Sequence, residues 1–162
     1  MRARNGIVQG PGLMLILLLA VAAPRILAQE PVPSKQVLIA TESSRFKDAV
    51  VAQTAEALRA DGHRVTVIAL ERLAATPLRD YQAIVLVNTC RAWRPSSAVR
   101  DFLRRASDAD RKKLVVVTTA NSESCDLSVS GVDAVSAASK RTRTDSVSRT
   151  ILDKVRARLT TP

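Results

Sequence analysis

Short, uninterrupted apolar runs alternate with amphipathic segments along most of this sequence. The first such unit covers residues 35–62 and contains the apolar run Val37–Ala40, a polar turn at residues 41–44, and a helix predicted from about Ser44 to Ala60. An apolar run without alternation is typical of a strand that is buried on both faces, as in a parallel sheet. The unit therefore predicts a strand followed by a crossover helix.

The predicted helix has a clear apolar stripe, because apolar residues recur along it at spacings of three and four. Its members are Phe46, Val50, Val51, Ala55 and Leu58. The charged residues Lys47, Asp48 and Glu56 are placed mostly off this stripe, towards solvent. Gly62 follows the helix and suits the left-handed conformation that ends many helices.

The remaining pattern repeats this alternation. Further strands are predicted at His63–Leu70, Ala83–Val87, Leu114–Val117 and Val132–Ala138, and further helices at Ser96–Ala106 and Thr144–Leu159. Eight residues are expected in the core: Phe46, Val50, Leu58, Val85, Leu86, Phe102, Val116 and Ile151. Strands that alternate with helices predict an α/β three-layer sandwich with a doubly wound, parallel, five-stranded sheet. Ligands of such sheets bind outside the carboxyl ends of the strands, where strand order reverses.

The N-terminal segment has the pattern of a secretory signal peptide rather than of a folded element. Arg2 and Arg4 precede the apolar run Leu13–Ala23, and Ala28 offers a small residue for cleavage. Eleven apolar residues fall short of the ~20 that span a membrane, so we expect cleavage and no stable membrane span afterwards. This divides the chain into a signal peptide (1–28), a linker (29–34) and one domain (35–162), exported to the periplasm or the extracellular space.

The chain is basic, with a formal charge of +10 at pH 7 and only 2% aromatic residues. Loss of the three arginines within residues 1–28 would leave +7. The charges are scattered over the predicted helices, which favours solvated faces over a nucleic-acid site, and we expect no sequence-specific nucleic acid as a partner. Lys140, Arg141 and Arg143 cluster before the last helix, either as a solvated loop or facing an anion.

No catalytic or metal-binding constellation stands out. The single histidine, His63, begins a predicted strand, and neither a nucleophile motif nor a pair of catalytic carboxylates is visible. We expect no metal, and the chain is interpreted as a binding protein in preference to an enzyme. The expected partner is a protein or a small anionic ligand.

Two stretches resemble the flavodoxin family, and the resemblance covers about residues 36–159. Residues 41–46 (TESSRF) align with the family's phosphate loop, [TS]-x-[TS]-G-x-[TS], through Thr41 and Ser43. Residues 83–103 share the family's succession of strand, aromatic-bearing loop, proline and helix. The resemblance implies the flavodoxin-like strand order 2-1-3-4-5 and flavin mononucleotide (FMN) as the ligand.

The resemblance also implies a set of cofactor-binding residues. Thr41, Ser43 and Ser44 would lie at the phosphate, while Asn88 and Trp93 lie in the loop whose aromatic residue stacks on the flavin. The sequence departs from the family, however, since Ser44 stands where the family has glycine and Glu42 adds a negative charge. Residues 118–124, after the fourth strand, contain neither glycine nor an aromatic residue.

Two functions follow from this resemblance, and a third follows from the basic charge. The first is an exported binding or interaction module with an eroded FMN site and no cofactor. The second is an FMN-binding electron-transfer or quinone-reductase-type flavoprotein outside the cytoplasm, which would make the protein an FMN-dependent oxidoreductase. The third is a binder of polyanions or of the envelope surface through its basic residues.

The two cysteines, Cys90 and Cys125, are expected to form a disulfide. Exported proteins encounter oxidising conditions in which such bridges persist. In the strand order that the resemblance implies, the two cysteines follow neighbouring strands at the same edge of the sheet.

Overall fold

A computed structural model describes residues 34–120 and 132–160 of the protein. Its five strands form a single parallel sheet with the spatial order β2-β1-β3-β4-β5. The strands are β1 (Gln36–Thr41), β2 (Arg64–Ala69), β3 (Ala83–Thr89), β4 (Leu114–Ala120) and β5 (Asp133–Ala138). The predicted fold class and strand order are confirmed.

Helices cover both faces of the sheet. They are α1 (Arg45–Ala60), α2 (Ser97–Arg105), α3 (Asp108–Lys113) and α4 (Thr144–Thr160), with 3₁₀ segments at Leu70–Ala75 and Arg141–Arg143. Helices α1 and α4 contribute to the hydrophobic core on one face, and α2 with the segment Leu70–Ala75 contributes to the core on the other. Within the described ranges, no helix is long and apolar enough to cross a bilayer.

The continuous apolar runs follow from this double covering, because successive side chains of a strand point to opposite faces. In β1, Val37 and Ile39 pack with α1 and α4, whereas Leu38 and Ala40 pack with α2. All eight residues that were predicted for the core are buried. The edge strand β2 is largely exposed, and its Val67 is 42% accessible.

Two sequence-based expectations about helices need correction. Lys47 was placed off the apolar stripe of α1, but the residue is only 3% exposed. Helix α3 was not predicted at all. It contains no buried residue, and its sequence DADRKK has no apolar stripe that could have indicated it.

Several predictions fall outside the described residues. These are the signal peptide at 1–28, most of the linker at 29–34, and Cys125. The proposed domain boundaries therefore stay predictions.

Candidate functional site

A cleft of about 920 Å³ opens at the carboxyl ends of the strands. It lies where the strand order reverses between β1 and β3, which is the usual ligand position in an open α/β sheet. Its walls come chiefly from the turn between β1 and α1, the loop between β3 and α2, and the first turn of α2. These are the loops in which the sequence analysis placed the cofactor-binding residues.

An ion pair occupies the turn between β1 and α1. The Nζ atom of Lys47 lies 3.2 Å from Oε2 of Glu42 and donates a 2.6 Å hydrogen bond to Oγ1 of Thr89. The same Glu42 oxygen accepts a 3.0 Å hydrogen bond from the backbone N–H of Thr89. The side chains of Lys47 and Glu42 are 4% and 20% exposed. This cluster joins the β1–α1 turn to the end of β3.

The carboxyl group of Glu42 is held in its ionised form. Burial on its own would raise the pKa of Glu42, since a low-dielectric surrounding disfavours the charge. The hydrogen bonds from Thr89 and Lys47, together with the positive charge of Lys47, outweigh burial and lower the pKa from its ordinary value. Glu42 therefore carries a negative charge near neutral pH and is a weak base.

The three hydroxyl groups that were predicted to hold a phosphate all have partners within the turn. Ser44 caps α1, its Oγ accepting a 3.3 Å hydrogen bond from the N–H of Lys47. Ser43 donates to Asp48 at 3.0 Å, and Thr41 donates to the carbonyl oxygen of Glu42 at 3.0 Å. The structure thus brings Ser43 and Ser44, but not Thr41, to the wall of the cleft, and all three side chains contribute to the geometry of the turn itself.

Asn88 is completely buried beneath the second loop. Its Nδ2 donates to the carbonyl oxygen of Val117 and to Oγ1 of Thr118, both at 3.0 Å, and its Oδ1 accepts from the N–H of Ser96 at 3.0 Å. These bonds tie the end of β3 to β4 and to the start of α2. In the described structure, Asn88 supports the loop from below.

Trp93 lies at the tip of a two-residue turn that we call the Trp93 turn, residues Arg91–Arg94. The N–H of Arg91 donates to the carbonyl oxygen of Arg94 at 2.9 Å, and the reverse bond measures 3.1 Å. Ala92 and Trp93 have φ angles of +47° and +63°, which is the pattern of a type I′ turn. Residues with a side chain adopt this left-handed region at a cost of about 1–2 kcal/mol each. Trp93 is 71% exposed.

The basic cluster before α4 lies at the same edge of the sheet. Lys140, Arg141 and Arg143 follow the end of β5 and are exposed. Arg141 lines a second, shallower depression together with Arg45 at the start of α1. The structure thus places a second group of exposed basic residues at the carboxyl ends of the strands, beside the start of α1.

Metal ligands and cysteines can be described for residues 34–120 and 132–160. No group of three or more histidine, cysteine or acidic residues that could hold a metal ion occurs among residues 34–120 and 132–160. No cysteine is free in those ranges. Because Cys125 lies outside them, its pairing with Cys90 stays a prediction.

The Glu42–Lys47 pair was missed at the sequence level, although a signal for it was present. Lys47 precedes Val51, Thr54 and Leu58 by four, seven and eleven residues, which is the spacing of a shared helix face. Thr54 is buried as well. The stripe was defined by apolar residues alone, so Lys47 was not recognised as part of the buried helix face.

The structure is similar to solved flavodoxins. It matches a flavodoxin from the domain Archaea over 76% of this chain and 98% of that one, with 11% identity and a TM-score of 0.54. A Fusobacterium nucleatum flavodoxin bound to flavin mononucleotide matches over 76% of this chain and 98% of that one, with 10% identity and a TM-score of 0.54.

A larger protein contains a similar unit. Rubredoxin oxygen:oxidoreductase from Desulfovibrio gigas matches over 82% of this chain, with 16% identity and a TM-score of 0.53. The match spans only 39% of that protein. No protein-family model matches the sequence, and no curated protein does either. At these identities the similarity establishes a flavodoxin-like fold.

Proposed function

We propose that this protein is a binding module built on the flavodoxin-like fold, in which an internal ion pair has replaced the anchoring of an FMN phosphate. The observation that carries the proposal is the ionised Glu42 in the β1–α1 turn, where the family resemblance would place the phosphate. A phosphate at such a turn needs free N–H and hydroxyl donors at a helix N-terminus. Here the hydroxyls of Thr41 and Ser43 donate within the turn, and the hydroxyl oxygen of Ser44 accepts the N–H of Lys47 at the helix N-terminus.

Charge opposes the phosphate as well. Two negative charges ~5 Å apart repel by roughly 3 kcal/mol at an effective dielectric constant of 20, and a phosphate monoester carries more than one charge. The positive charge of Lys47 offsets part of this repulsion, but its ammonium group already binds Glu42 and Thr89 and is not free to bind phosphate oxygens directly. The residues present therefore do not fit the phosphate of FMN.

Binding is favoured over catalysis for a related reason. A general base works best when its pKa lies near the operating pH. Glu42 is a partly buried acid in the cleft, and its pKa is lowered instead. Its pairing with Lys47 also occupies the amine that could otherwise act as a nucleophile or base.

FMN and riboflavin titrations test this proposal, because the two ligands differ only by the phosphate. We expect no micromolar affinity for FMN. We also expect Glu42→Gln to strengthen FMN binding by about tenfold or more, since it removes the nearest negative charge, and to leave riboflavin binding unchanged. Glu71→Gln, in the same cleft but without a lysine partner among the described residues, is the matched control. Micromolar or tighter binding of FMN to the unaltered protein would contradict the proposal.

An FMN-binding flavoprotein is the second candidate, and the position of Trp93 is the observation that favours it. An exposed indole in the loop beside the cleft resembles the stacking aromatic of flavodoxins. Under this alternative Trp93→Ala would weaken both FMN and riboflavin binding, because stacking involves the ring that the two ligands share. Under the first proposal the substitution leaves FMN affinity unchanged.

Export belongs to the same proposal. The pattern of residues 1–28 supports a cleaved signal peptide and a mature protein outside the cytoplasm. Mass spectrometry of the protein from its native host would show a mature terminus at Gln29. An intact Met1 would contradict export by this route.

A Cys90–Cys125 disulfide is proposed with it. Such a bridge would close a loop of about 36 residues, for which the chain-entropy model gives about 3–4 kcal/mol. Thiol titration of denatured, unreduced protein from the native compartment should find no free thiol. Two free thiols per chain would contradict the bridge.

A further inference from the structure

The Trp93 turn combines an exposed aromatic ring with a strained backbone. Trp93 and Val67 are the exposed large hydrophobic residues of the described chain, and Trp93 is the more exposed of the two. Val67 belongs to strand β2, whereas Trp93 is at the tip of a two-residue turn in which both central residues have positive φ. Backbone strain of this kind concentrates at functional sites.

Three arginines lie in or near the Trp93 turn. Arg91 and Arg94 flank it, and Arg100 follows in the first turn of α2; all three are exposed. Among the described residues, no carboxylate forms an ion pair with any of these three. Some other exposed arginines are paired, as in Arg104–Asp101 at 2.8 Å and Arg156–Asp61 at 2.8 Å. Within residues 34–120 and 132–160, the positive charge of these three arginines is thus not neutralised by an ion pair.

We infer that the Trp93 turn docks this protein on an anionic lipid surface. The inference rests on the proposed function, because it names the partner that the carboxyl edge of the sheet would bind. Indole rings favour the interface between lipid headgroups and acyl chains, since one end of the ring is polar and the other apolar. Guanidinium groups bind phosphate oxygens through paired hydrogen bonds. A tryptophan between two arginines supplies both interactions at one point.

The shape of the surface favours lipid over a folded acidic protein. A stable protein interface buries about 800 Å² on each partner, with aromatic anchors set in pockets of the other surface. Trp93 protrudes alone, without an apolar patch around it among the described residues. A single protruding ring suits a medium that it can penetrate, such as a headgroup layer.

Other exposed basic residues lie at the same end of the sheet as the Trp93 turn. Arg45, Lys140 and Arg141 lie at the same carboxyl edge and are exposed. Each basic residue near an anionic membrane contributes roughly a fivefold increase in affinity. Together these residues would orient the carboxyl edge towards the lipid and leave the amino ends of the strands facing solvent.

Tryptophan fluorescence tests the inference directly, because Trp93 is the single tryptophan of the chain. Vesicles of phosphatidylcholine mixed with phosphatidylglycerol are titrated into the protein without its predicted signal peptide, residues 29–162. We expect a blue shift and intensity gain that weaken with added salt. Vesicles of phosphatidylcholine alone should produce neither. An equal response to both vesicle types, or no response to either, would overturn the inference.

Charge-reversal variants separate the turn from general electrostatics. Arg91→Glu/Arg94→Glu should weaken vesicle binding by at least about 25-fold, a factor of five for each arginine. Arg79→Glu/Lys112→Glu makes the same change in net charge on exposed residues that precede β3 and β4, at the amino edge. It should change binding by less than about threefold. Equal losses in the two variants would overturn the role of the turn.

Sedimentation with vesicles measures the lipid binding of Trp93→Ala, because this variant has no tryptophan fluorescence. We expect at least about tenfold weaker binding, because the inserted ring is lost. Binding of the protein to soluble polyaspartate but not to vesicles would assign the turn to an acidic protein and overturn the lipid inference. Tight FMN binding would instead contradict the proposed function, whatever the vesicles show, so the two failures are distinguishable.

Discussion

Two turns at the carboxyl ends of the strands differ in whether their polar and charged side chains have partners within the protein. In the β1–α1 turn every predicted ligand group has an internal partner, and the charges of Glu42 and Lys47 cancel. In the Trp93 turn the aromatic ring is exposed, the flanking arginines have no acidic partner among the described residues, and two φ angles are positive. The internal bonds stabilise the first turn and leave few of its groups free for a ligand. The second turn keeps its side chains exposed, and its positive φ angles reduce stability.

This difference indicates where a ligand could still act on the protein. A folded site that is fully hydrogen-bonded loses internal bonds when a ligand enters, so its net affinity is small. When a ligand binds an exposed aromatic ring and guanidinium groups without ion pairs, it displaces only water and breaks no internal bond. Under the proposed function, the protein keeps the flavodoxin-like fold and binds its partner through the Trp93 turn instead of the β1–α1 turn.

Breaking the ion pair should have the largest effect on stability. Lys47→Met keeps the length of the side chain but leaves the Glu42 carboxylate without its counter-charge. Removing one partner of a buried pair costs about 3–5 kcal/mol, and the partial exposure of Glu42 reduces this to about 2–4 kcal/mol. Chemical denaturation measures the change in the free energy of unfolding.

A double-mutant cycle separates the pair from the loss of packing. Lys47→Met combined with Glu42→Gln should cost less than the sum of the two single changes, because neither charge is then left alone. The exposed pair Asp101–Arg104 serves as a control, and Arg104→Met should change stability by less than about 0.5 kcal/mol. Additive effects at Glu42 and Lys47 would show that the two side chains do not interact.

The same pair predicts a dependence of stability on pH with a smaller amplitude. The pKa of Glu42 is lower in the folded protein than in the unfolded chain, so its contribution is complete above the unfolded value of about 4.3. It is lost as the pH falls through the folded pKa. The stability difference between the unaltered protein and Glu42→Gln should be constant from pH 7 to about pH 5 and shrink below it.

A control at another acid isolates this effect. Glu56→Gln removes a charge from the exposed face of α1 and corrects for the general effect of net charge at low pH. A difference between the unaltered protein and Glu42→Gln that grows on acidification would mean that Glu42 is not stabilised in its ionised form.

The sheet was predictable from the sequence because burial on both faces leaves an unmistakable pattern. The run Val37–Ala40 lies within β1, and Leu114–Val117 lies within β4. The strand order came from the resemblance to flavodoxins and not from the runs themselves, since apolar content does not determine which strands are neighbours.

The site was less predictable, for two physical reasons. Helix propensity and polarity assign lysine to solvent, and only its phase with Val51 and Leu58 indicates that Lys47 is buried. A type I′ turn is normally signalled by asparagine or glycine, and residues 91–94 (RAWR) contain neither. Contacts within the folded protein determine both features. Glu42 pairs with the buried Lys47, and the two backbone hydrogen bonds between Arg91 and Arg94 hold the turn.

The smallest predicted effect concerns the strain in the Trp93 turn. Ala92 has a φ of +47°, which costs alanine about 1–2 kcal/mol and glycine almost nothing. Ala92→Gly also gives the unfolded chain more freedom, a penalty of about 0.5–1 kcal/mol, so the net result should be stabilisation by about 0.5 kcal/mol. The identical change at Ala52, exposed within α1, should destabilise the protein by about 1 kcal/mol. Opposite signs in denaturation experiments would establish that the turn holds Ala92 in a conformation that suits glycine. Destabilisation of both variants would show instead that the loop relaxes in solution, and the exposed ring of Trp93 would then lose its fixed position.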